Sequence, residues 1–411
     1  MDHAGCRFCG TALQHVFVDL GMSPMANSYL KPHQLNRMEP FYPLRAFVCE
    51  QCFLVQLEEF ESPDHIFSDY AYFSSFSDLF LQHAKEYVNM AMDRFKLGPD
   101  SYVVEIASND GYLLQNFVKR GVPVLGIEPA KNVAEVAVKK GVPSLVKFFG
   151  VETARELVAQ GRRPNLLIGN NVLAHVPDIN DFVGGLRVLL GPSGVVTMEF
   201  PHLMRLMAFN QFDTVYHEHF SYFSLTTVER IFSKHGLTLF DVEEISTHGG
   251  SLRIYARHDG DGSKPVTERL TALRAKEASA GFATLGHYLS FSEGVNETKR
   301  ALLEFLIKAK REGKKVVAYG AAAKASTLLN FCGVRTDFVD YLVDRSPYKQ
   351  GHWLPGVHIP IYDPERIKTD KPDYVMILAW NLKDEVMAQM AFVRDWGGKF
   401  VVPIPKITVH S

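Results

Sequence analysis

The sequence predicts an α/β protein with a small N-terminal module, a central doubly wound α/β unit and a second doubly wound α/β unit at the C-terminus. Two observations support this prediction. Two Cys-x-x-Cys pairs lie in the first 52 residues, in a stretch rich in Pro and turn residues with little helical periodicity. Beyond it, short aliphatic runs alternate with helix-like segments twice along the chain, which is typical of parallel sheets covered by helices on both faces.

The central unit is predicted from four aliphatic runs that are each followed closely by Gly, Asn or Pro. These runs are residues 103–106, 124–127, 166–168 and 195–200. Near the end of the unit, "FDVEEIS" and "SLRIYARHD" are joined by "THGG". This pattern predicts an antiparallel edge added to the parallel sheet.

A loop rich in Gly, Asp and Pro, "RHDGDGSKP", predicts the second boundary. We expect two long amphipathic helices beyond it, followed by strands within "KKVVAYG", "DYLVD", "YVMILAW" and "KFVVPIP". The expected division is therefore an N-terminal module at residues 1–64, a central unit at 65–258 and a C-terminal unit at 259–411.

Composition limits the class of partner. The 411 residues are 46% hydrophobic and 22% charged, with a net charge of -2. This suits a protein of about two to three domains, without an extended basic surface for nucleic acid. The sequence has neither a signal-peptide pattern nor an apolar run near the roughly 20 residues that cross a membrane. We expect a cytoplasmic protein whose partner is a small molecule, not a nucleic acid or a membrane.

The paired cysteines predict one zinc site. Each Cys-x-x-Cys spacing lets two thiolates bind the same ion, and two such pairs complete a tetrahedral shell. The predicted ligands are Cys6, Cys9, Cys49 and Cys52. Since four thiolates leave no open position for a substrate, the predicted zinc is structural.

A second motif predicts a nucleotide-containing cofactor. "VVEIASNDGYLLQNF" predicts a strand ending near Glu105, a tight loop containing Asn109 and Gly111, and the start of an amphipathic helix. Such a loop brings backbone N–H groups close to a ligand. Glu128 ends the next strand, about 20 residues on, where a carboxylate can accept hydrogen bonds from ribose hydroxyls. The absence of GxGxxG favours S-adenosylmethionine (SAM) over NAD.

"LLIGNNVLAHVPD" predicts a further strand, followed by Asn170, Asn171 and His175. Ligands of open α/β sheets bind at the carboxyl ends of the strands. We therefore expect these three residues to border the same crevice as the cofactor loop.

The stretch "TVYHEHFSYFS", residues 214–224, permits three interpretations. His217 and His219 would share a face of a strand and could bind a metal, but no third ligand is evident and HExxH is not matched. Tyr216, Glu218 and His219 could instead form a proton-transfer cluster, or the polar residues could be part of a buried core. We interpret His217 and Tyr222 as structural members of this stretch.

In the C-terminal unit, "VVAYGAAAKAS" predicts a strand and then a helix that carries Lys324 near its N-terminus. A helix N-terminus with a lysine suits a diphosphate. Asp344, Lys349 and Gln350 follow another strand and are expected to border the same crevice. Alternatively, this unit completes the crevice by packing alone.

Together these motifs resemble those of the SAM-dependent sugar C-methyltransferases with an N-terminal zinc module, in particular the C-3' methyltransferases of nucleotide-linked 4-keto deoxysugars from antibiotic and surface-glycan pathways. The resemblance covers nearly the whole chain and implies a Rossmann-like class I methyltransferase domain for the central unit. Its motifs in order are the paired CxxC module, "DYAYFSS", "VVEIASNDGYLL", "GIEPA", "NNVLAHVPD", "FDTVYHEHFSYFS", "HGGSLR", "VVAYGAAAKASTLLNFCG" and "YVMILAWN".

The resemblance also implies roles for individual residues. The implied catalytic residues are Tyr72, His175, Tyr216, Glu218 and His219. The implied SAM-binding residues are Glu105, Asn109, Gly111, Glu128, Asn170 and Asn171, with Glu128 at the ribose and the two asparagines near the methionyl end. Two positions depart from the family: Ala107 replaces a glycine usual in the cofactor loop, and Lys147 stands where relatives often have an aspartate.

The implied reaction is transfer of a methyl group from SAM to C-3' of a nucleoside-diphosphate-linked 4-keto-6-deoxy sugar. The ketone acidifies the neighbouring C–H group, so that a base can form an enolate whose carbon attacks the methyl group. A histidine suits the base because its pKa lies near neutrality, and we assign this role to His219. Tyr216, His175 and Tyr72 are candidate donors to the enolate oxygen. Glu218 either supports His219 or holds the sugar.

Three alternatives remain at this stage. Methylation at C-5' would use the same base chemistry. An NAD-dependent oxidoreductase acting through the C-terminal unit is disfavoured by the missing GxGxxG. A non-catalytic scaffold held by zinc would be expected to lack the Tyr216, Glu218 and His219 set. We expect a dTDP- or GDP-linked keto sugar as the substrate.

Overall fold

The computed structural model describes residues 5–62, 74–76 and 78–411, and its strands form three sheets. In chain order the strands are β1 (His15–Ser23), β2 (Tyr42–Val48), β3 (Val55–Leu57), β4 (Val103–Ile106), β5 (Val124–Ile127), β6 (Ser144–Leu145), β7 (Leu166–Asn170), β8 (Val195–Pro201), β9 (Ser221–Tyr222), β10 (Leu237–Ile245), β11 (Ser251–His258), β12 (Val316–Tyr319), β13 (Leu342–Val343), β14 (Ile361–Tyr362), β15 (Tyr374–Ile377), β16 (Lys399–Val402) and β17 (Thr408–His410).

The α-helices of the described residues lie between these strands. In chain order they are α1 (Asp78–Phe95), α2 (Gln115–Val118), α3 (Lys131–Lys139), α4 (Val151–Ala159), α5 (Ile179–Leu189), α6 (Leu203–Ala208), α7 (Leu225–Lys234), α8 (Glu268–Ser279), α9 (Leu285–Leu289), α10 (Phe291–Arg311), α11 (Ala323–Cys332), α12 (Arg366–Asp370) and α13 (Lys383–Gln389). None of them is long and apolar enough to cross a membrane.

The central sheet has the order β10-β11-β8-β7-β4-β5-β6. Its last five strands in this order are parallel, whereas β11 runs antiparallel to β8 and to β10. Every residue of β4 and β5 is buried, as expected for aliphatic strands covered on both faces. The four predicted strands and the antiparallel edge are confirmed. The helix predicted after the cofactor loop is shorter than its pattern suggested, because α2 has only four residues.

The C-terminal sheet has the order β14-β13-β12-β15-β16-β17, with β17 antiparallel to β16. Its strands include the four predicted from sequence. The two predicted amphipathic helices are α8 and α10, and the short α9 lies between them. Both α9 and α10 pack against β1, where the Phe17 ring stacks on Phe291 with centroids 4.7 Å apart.

The N-terminal sheet is not built from the N-terminal module alone. Its order is β1-β2-β3-β9, and β9 belongs to the stretch at 214–224. Val55 and Gln56 of β3 lie opposite Tyr222 and Ser221 in an antiparallel pair. One hydrophobic cluster continues from this module through the central sheet into the C-terminal unit. The three parts therefore pack together around a shared interior.

Candidate active site

The four predicted zinc ligands converge. Their sulfur atoms all lie within 4.8 Å of one another, with Cys6 3.6 Å from Cys52 and Cys9 3.5 Å from Cys49. Zn–S bonds of about 2.3 Å in a tetrahedron would place the sulfurs about 3.8 Å apart, so these residues fit zinc. The Gln56 side chain donates to Cys6 Sγ at 3.2 Å, as expected beside a thiolate. Among the described residues, this is the group of cysteines, histidines and acids that could hold a metal.

The first cysteine turn packs on the central unit. Arg7 Nη1 donates to the carbonyl oxygen of Pro177 at 2.7 Å, and Asn180 Nδ2 donates to the carbonyls of Arg7 and Phe8, both at 3.0 Å. Pro177 lines the cavity described below. The metal-binding turn therefore supports one wall of that cavity.

A cavity of about 610 Å³ lies at the carboxyl ends of the central strands, and all three parts of the chain line it. Ten of the predicted site residues meet there: Asn109, Glu128, Asn170, Asn171, His175, Tyr216, Glu218, His219, Lys324 and Lys349. Glu105, Gly111 and Asp344 are not among the residues that line the cavity. Tyr72 is outside the described residues.

The cofactor loop, residues 105–111, has an unusual backbone. Ala107 and Asn109 both adopt positive φ angles, 53° and 48°, where glycine is usually preferred. The Asn109 backbone N–H donates to Glu128 Oε2 and the Ala130 N–H donates to Glu128 Oε1, both at 2.9 Å. These two bonds orient the Glu128 carboxylate at the cavity, while burial raises its pKa.

Two buried polar side chains near this loop lack partners for some of their atoms. Among the described residues, neither amide atom of Asn170 forms a hydrogen bond, and Glu105 Oε2 has none. Burial raises the pKa of Glu105 well above its ordinary value, and the nearby Glu128 adds to this effect. Because buried polar atoms are normally satisfied, these groups fit a polar ligand such as SAM.

The 214–224 stretch is not a strand over most of its length. Residues Phe212–Thr214 form a 3-10 turn, and β9 begins only at Ser221. The expectation that His217 and His219 share a strand face is therefore wrong. His217 Nε2 donates to the carbonyl oxygen of Pro43 at 3.2 Å, whereas His219 faces the cavity. The metal interpretation of this stretch loses its geometric basis.

Hydrogen bonds define the tautomer of His219. Its Nδ1 lies 3.0 Å from the Thr214 carbonyl oxygen, which can only accept, so Nδ1 carries the proton. Its Nε2 accepts from the Tyr216 hydroxyl at 2.8 Å. Burial, with the neighbouring His175, lowers the pKa of His219 well below its ordinary value. His219 is therefore neutral near pH 7, with an unprotonated Nε2.

His175 lies beside this group, with its ring centroid 4.7 Å from that of His219. Its Nδ1 donates to the Glu218 carbonyl oxygen at 2.7 Å, and desolvation in the cavity lowers its pKa to about 4. In this neutral tautomer Nε2 is an acceptor. The geometry therefore disfavours the predicted donation by His175 to an enolate oxygen.

The Glu218 carboxylate does not pair with His219. Asn27 Nδ2, from the N-terminal module, donates to its two oxygens at 2.8 and 2.9 Å. Glu218 is 4% exposed, and burial raises its pKa to about 7. The carboxylate is thus poised to change charge near neutrality.

Asn27 and His248 are among the residues that line the cavity but were not predicted from the sequence. His248 belongs to the "HGGSLR" motif, so a signal existed, and its φ of 55° turns the chain there. Desolvation lowers the pKa of His248 to about 4. Asn27 carries no local signal, since its partner Glu218 is 191 positions away.

The C-terminal unit contributes two cations to the lining of the cavity. Lys324, the second residue of α11, donates to Asn381 Oδ1 at 3.0 Å and lies 4.3 Å from the Trp380 ring centroid. Desolvation lowers the pKa of Lys324 to about 8. Lys349 lies over the Tyr29 ring at 5.5 Å. Asp344 accepts from the Ala321 N–H at 2.9 Å and so supports this part of the lining.

Three family models match consecutive parts of the chain. They are described as "Putative zinc binding domain" at residues 6–67, "Methyltransferase domain" at 80–242 and "C-methyltransferase C-terminal domain" at 246–405. The matched families and the predicted fold class agree, and the fold and site define a SAM-dependent methyltransferase with a zinc-binding domain.

Known relatives narrow the class. C-methyltransferase NovU from Streptomyces niveus is 35% identical over 406 residues, covering 99% of this chain and 96% of the relative. The chain therefore belongs to the C-methyltransferase family. A ubiquinone biosynthesis O-methyltransferase from Bartonella bacilliformis is 27% identical over 121 residues, 28% of this chain and 49% of that protein.

A solved structure of magnesium protoporphyrin IX methyltransferase from Synechocystis PCC 6803 with bound SAM is also similar. It is 15% identical and covers 44% of this chain and 81% of its own, with a TM-score of 0.32. A similarity of this size is too weak to support a functional argument. The enzyme class, the SAM cofactor and the zinc-binding domain predicted from sequence are confirmed by the family matches and the cysteine cluster.

Proposed function

We propose that this enzyme transfers a methyl group from SAM to C-3' of a nucleoside-diphosphate-linked 4-keto-6-deoxy sugar. The observation that carries the proposal is the shared cavity. A neutral histidine paired with a tyrosine suits proton removal from a carbon acid. The carboxyl ends of the central strands suit a bound methyl donor. Two lysines of the C-terminal unit suit a diphosphate.

The residues around the cofactor loop would hold SAM. Glu128 would accept hydrogen bonds from the ribose hydroxyls, and Asn170 would supply a donor and an acceptor to the methionyl end. Glu105, Asn109, Gly111 and Asn171 complete this proposed set. When bound, SAM supplies an electrophilic methyl group on a sulfonium, which the substrate carbanion takes up as the methyl–sulfur bond breaks.

His219 is the proposed general base. Its Nε2 takes the proton from C-3', and the electron pair of that C–H bond enters the enolate. Because the ring is neutral at pH 7, it starts in the protonation state that a base needs. The Thr214 carbonyl, which accepts from Nδ1–H, also stabilises the imidazolium that forms. The proton then leaves to solvent after methyl transfer.

Tyr216 is the proposed donor to the enolate oxygen. Its hydroxyl donates to His219 Nε2 at 2.8 Å. This hydrogen bond breaks before Nε2 takes the proton from C-3', and the released hydroxyl then donates to the enolate oxygen. A preorganised donor at this position stabilises the charge that develops in the transition state. Tyr72 remains a second proposed donor, and we no longer assign this role to His175.

Glu218 is proposed to hold the sugar. An ionised carboxylate has about four acceptor positions, and the Asn27 amide leaves room for a sugar hydroxyl. We choose this role because the Glu218 carboxylate contacts Asn27 and not His219. Glu218 would then fix which carbon of the sugar faces the base.

Lys324 and Lys349 are proposed to bind the diphosphate, with Asp344 supporting their loop. Lys324 lies in the first turn of α11, where the N-terminal end of a helix favours anions. A dTDP- or GDP-linked substrate is the expected choice. The two lysines and Glu218 would hold opposite ends of one nucleotide sugar.

The test is incubation of the purified protein with SAM and a panel of dTDP-, GDP-, UDP- and CDP-linked 4-keto-6-deoxy sugars. Mass spectrometry should show the gain of one methyl group, and NMR should place it on C-3'. A methyl group on C-5' would replace the proposed regiochemistry. No mass gain with any substrate would refute the proposal.

A further inference from the structure

We propose that Asn27 of the N-terminal module is a positioning residue for the Glu218 carboxylate, through which the zinc-held module contributes to the active site. This inference rests on the proposed function, because it assumes that Glu218 acts on the substrate. It adds a residue that neither the sequence motifs nor the family resemblance assigns.

The contact itself is specific. One amide nitrogen, Asn27 Nδ2, lies 2.8 Å from Oε1 and 2.9 Å from Oε2 of Glu218. Within the described residues, no other hydrogen bond to this carboxylate is found. A carboxylate with 4% exposure is costly without a donor, so this amide decides where the group points.

Asn27 lies on a module loop, residues 24–30, that is anchored to the C-terminal unit at two points. The Tyr29 hydroxyl donates to the Ala321 carbonyl oxygen at 2.6 Å. Leu30 and Trp353 exchange two backbone hydrogen bonds, each 2.9 Å long. This anchoring to the C-terminal unit fixes the loop at the cavity.

The other end of the contact is fixed by the same module. Glu218 lies between His217, which donates to the Pro43 carbonyl oxygen, and β9, which pairs with β3. The N-terminal module therefore holds both the amide and the segment that carries the carboxylate. Loss of the module's structure would separate the two groups.

The chemistry of an amide explains why asparagine suits this position. An amide donates hydrogen bonds without adding charge, so the ionised form of Glu218 remains available to accept from a sugar hydroxyl, whereas a lysine or arginine would neutralise its charge. The titratable residues that line the same cavity as Glu218 are Tyr112, Glu128, Lys147, His175, Asp178, Asp181, Tyr216, His219, His248, Lys324 and Lys349, with Tyr29 on the module loop. Burial raises the pKa of Glu218, and the hydrogen bonds from the Asn27 amide lower it.

The experiment compares Asn27→Ala and the isosteric Asn27→Asp with Ser28→Ala, an exposed position in the same loop. The readout is kcat/KM for methyl transfer as a function of pH, with zinc content measured for each variant. Because the amide lowers the pKa of Glu218, its removal should move the acidic limb of the profile to higher pH. The loss at the acidic end should be about ten-fold in Asn27→Ala.

Asn27→Asp should shift the limb further than Asn27→Ala, because a second carboxylate repels the first. A merely structural residue would show the reverse order, since aspartate preserves the shape. Ser28→Ala should retain the wild-type profile. Profiles of both Asn27 variants that coincide with that of Ser28→Ala would overturn the inference while leaving the proposed function intact.

A double variant tests the inference even if Asn27→Ala also destabilises the fold. In a Glu218→Gln background, Asn27→Ala should cause little further loss, since the two residues act as one unit. A further loss equal to that in the wild-type background would overturn the inference. If the wild-type protein methylates none of the keto sugars, the proposed function falls, and this inference falls with it.

Discussion

At the scale of single residues, two neighbours in the chain face different environments. His219 forms hydrogen bonds to Thr214 and Tyr216 within the central unit, whereas the carboxylate of Glu218 contacts Asn27 from the N-terminal module. Desolvation favours the neutral form of both side chains and therefore shifts their pKa values in opposite directions. It keeps the histidine neutral and raises the pKa of the carboxyl group toward neutrality.

This difference predicts the pH dependence of the enzyme. Glu218, with a pKa of about 7, becomes ionised as the pH rises through neutrality, while His219 is already neutral there. We expect kcat/KM to rise with pH and level off above an acidic limb near this pKa. Glu218→Gln should lower activity and remove that limb. A limb unchanged in this variant would show that another group controls it.

Single residues also show what the sequence could predict. Glu128, Asn170, His175 and His219 were found because each follows a strand or lies in a dense polar motif, and all four line the cavity. Asn27 was not found, because only folding brings it to a partner 191 positions away. The orientation of a carboxylate depends on such distant contacts.

At the scale of elements, the cofactor loop combines backbone strain with close packing. Ala107 and Asn109 adopt positive φ angles in place of glycines. Gly111 has a φ of 75°, and a Cβ there would lie 3.0 Å from Val142 Cγ2 and 3.2 Å from Ala137 Cβ. The loop therefore depends on glycine at the last of these positions.

Gly111→Ala should destabilise the protein and weaken SAM binding, because it adds a steric conflict to an unfavourable φ angle. Gly121 is a matched control, since its φ is 73° and nothing lies within 4 Å of an added Cβ. Denaturant unfolding should show Gly111→Ala less stable than Gly121→Ala by about 1–3 kcal/mol. Equal losses in the two variants would mean that packing around the loop is unimportant.

The zinc module allows a second prediction at this scale. Cys49→Ser should abolish stoichiometric zinc binding and lower methyl transfer, since the module carries Asn27 and pairs through β3 with β9. Cys332→Ser is the matched control, because Cys332 is buried outside the cluster. Metal analysis and activity assays should separate the two variants. Full activity of zinc-free Cys49→Ser would contradict the coupling of module and site.

The strands of both α/β units were predictable because buried parallel strands are continuous aliphatic runs. The pairing of β3 with β9 was not. Two residues of β9 carry too little pattern to define a strand, and their partner lies in another part of the chain. The prediction that His217 and His219 share a strand face was wrong for the same reason. Long-range contacts determine the backbone conformation of that stretch.

At the scale of the whole molecule, all three parts meet at residues 213–222. Trp380 Nε1 donates to Asp213 Oδ2 at 2.7 Å, and Thr327 Oγ1 donates to the Val215 carbonyl oxygen at 2.9 Å. The N-terminal module adds the contacts to His217 and Glu218. The sequence predicted three units, but their meeting at one cavity depends on contacts between them that no local pattern encodes.

The most direct test of this account is hydrogen–deuterium exchange at C-3' of a 4-keto sugar nucleotide in D₂O, with S-adenosylhomocysteine in place of SAM. NMR would follow the exchange without methyl transfer. Loss of the general base in His219→Asn should slow exchange by about 10²-fold or more, whereas His33→Asn, at an exposed histidine, should remain close to wild type. Exchange at the wild-type rate in His219→Asn would contradict the central claim that His219 removes the proton.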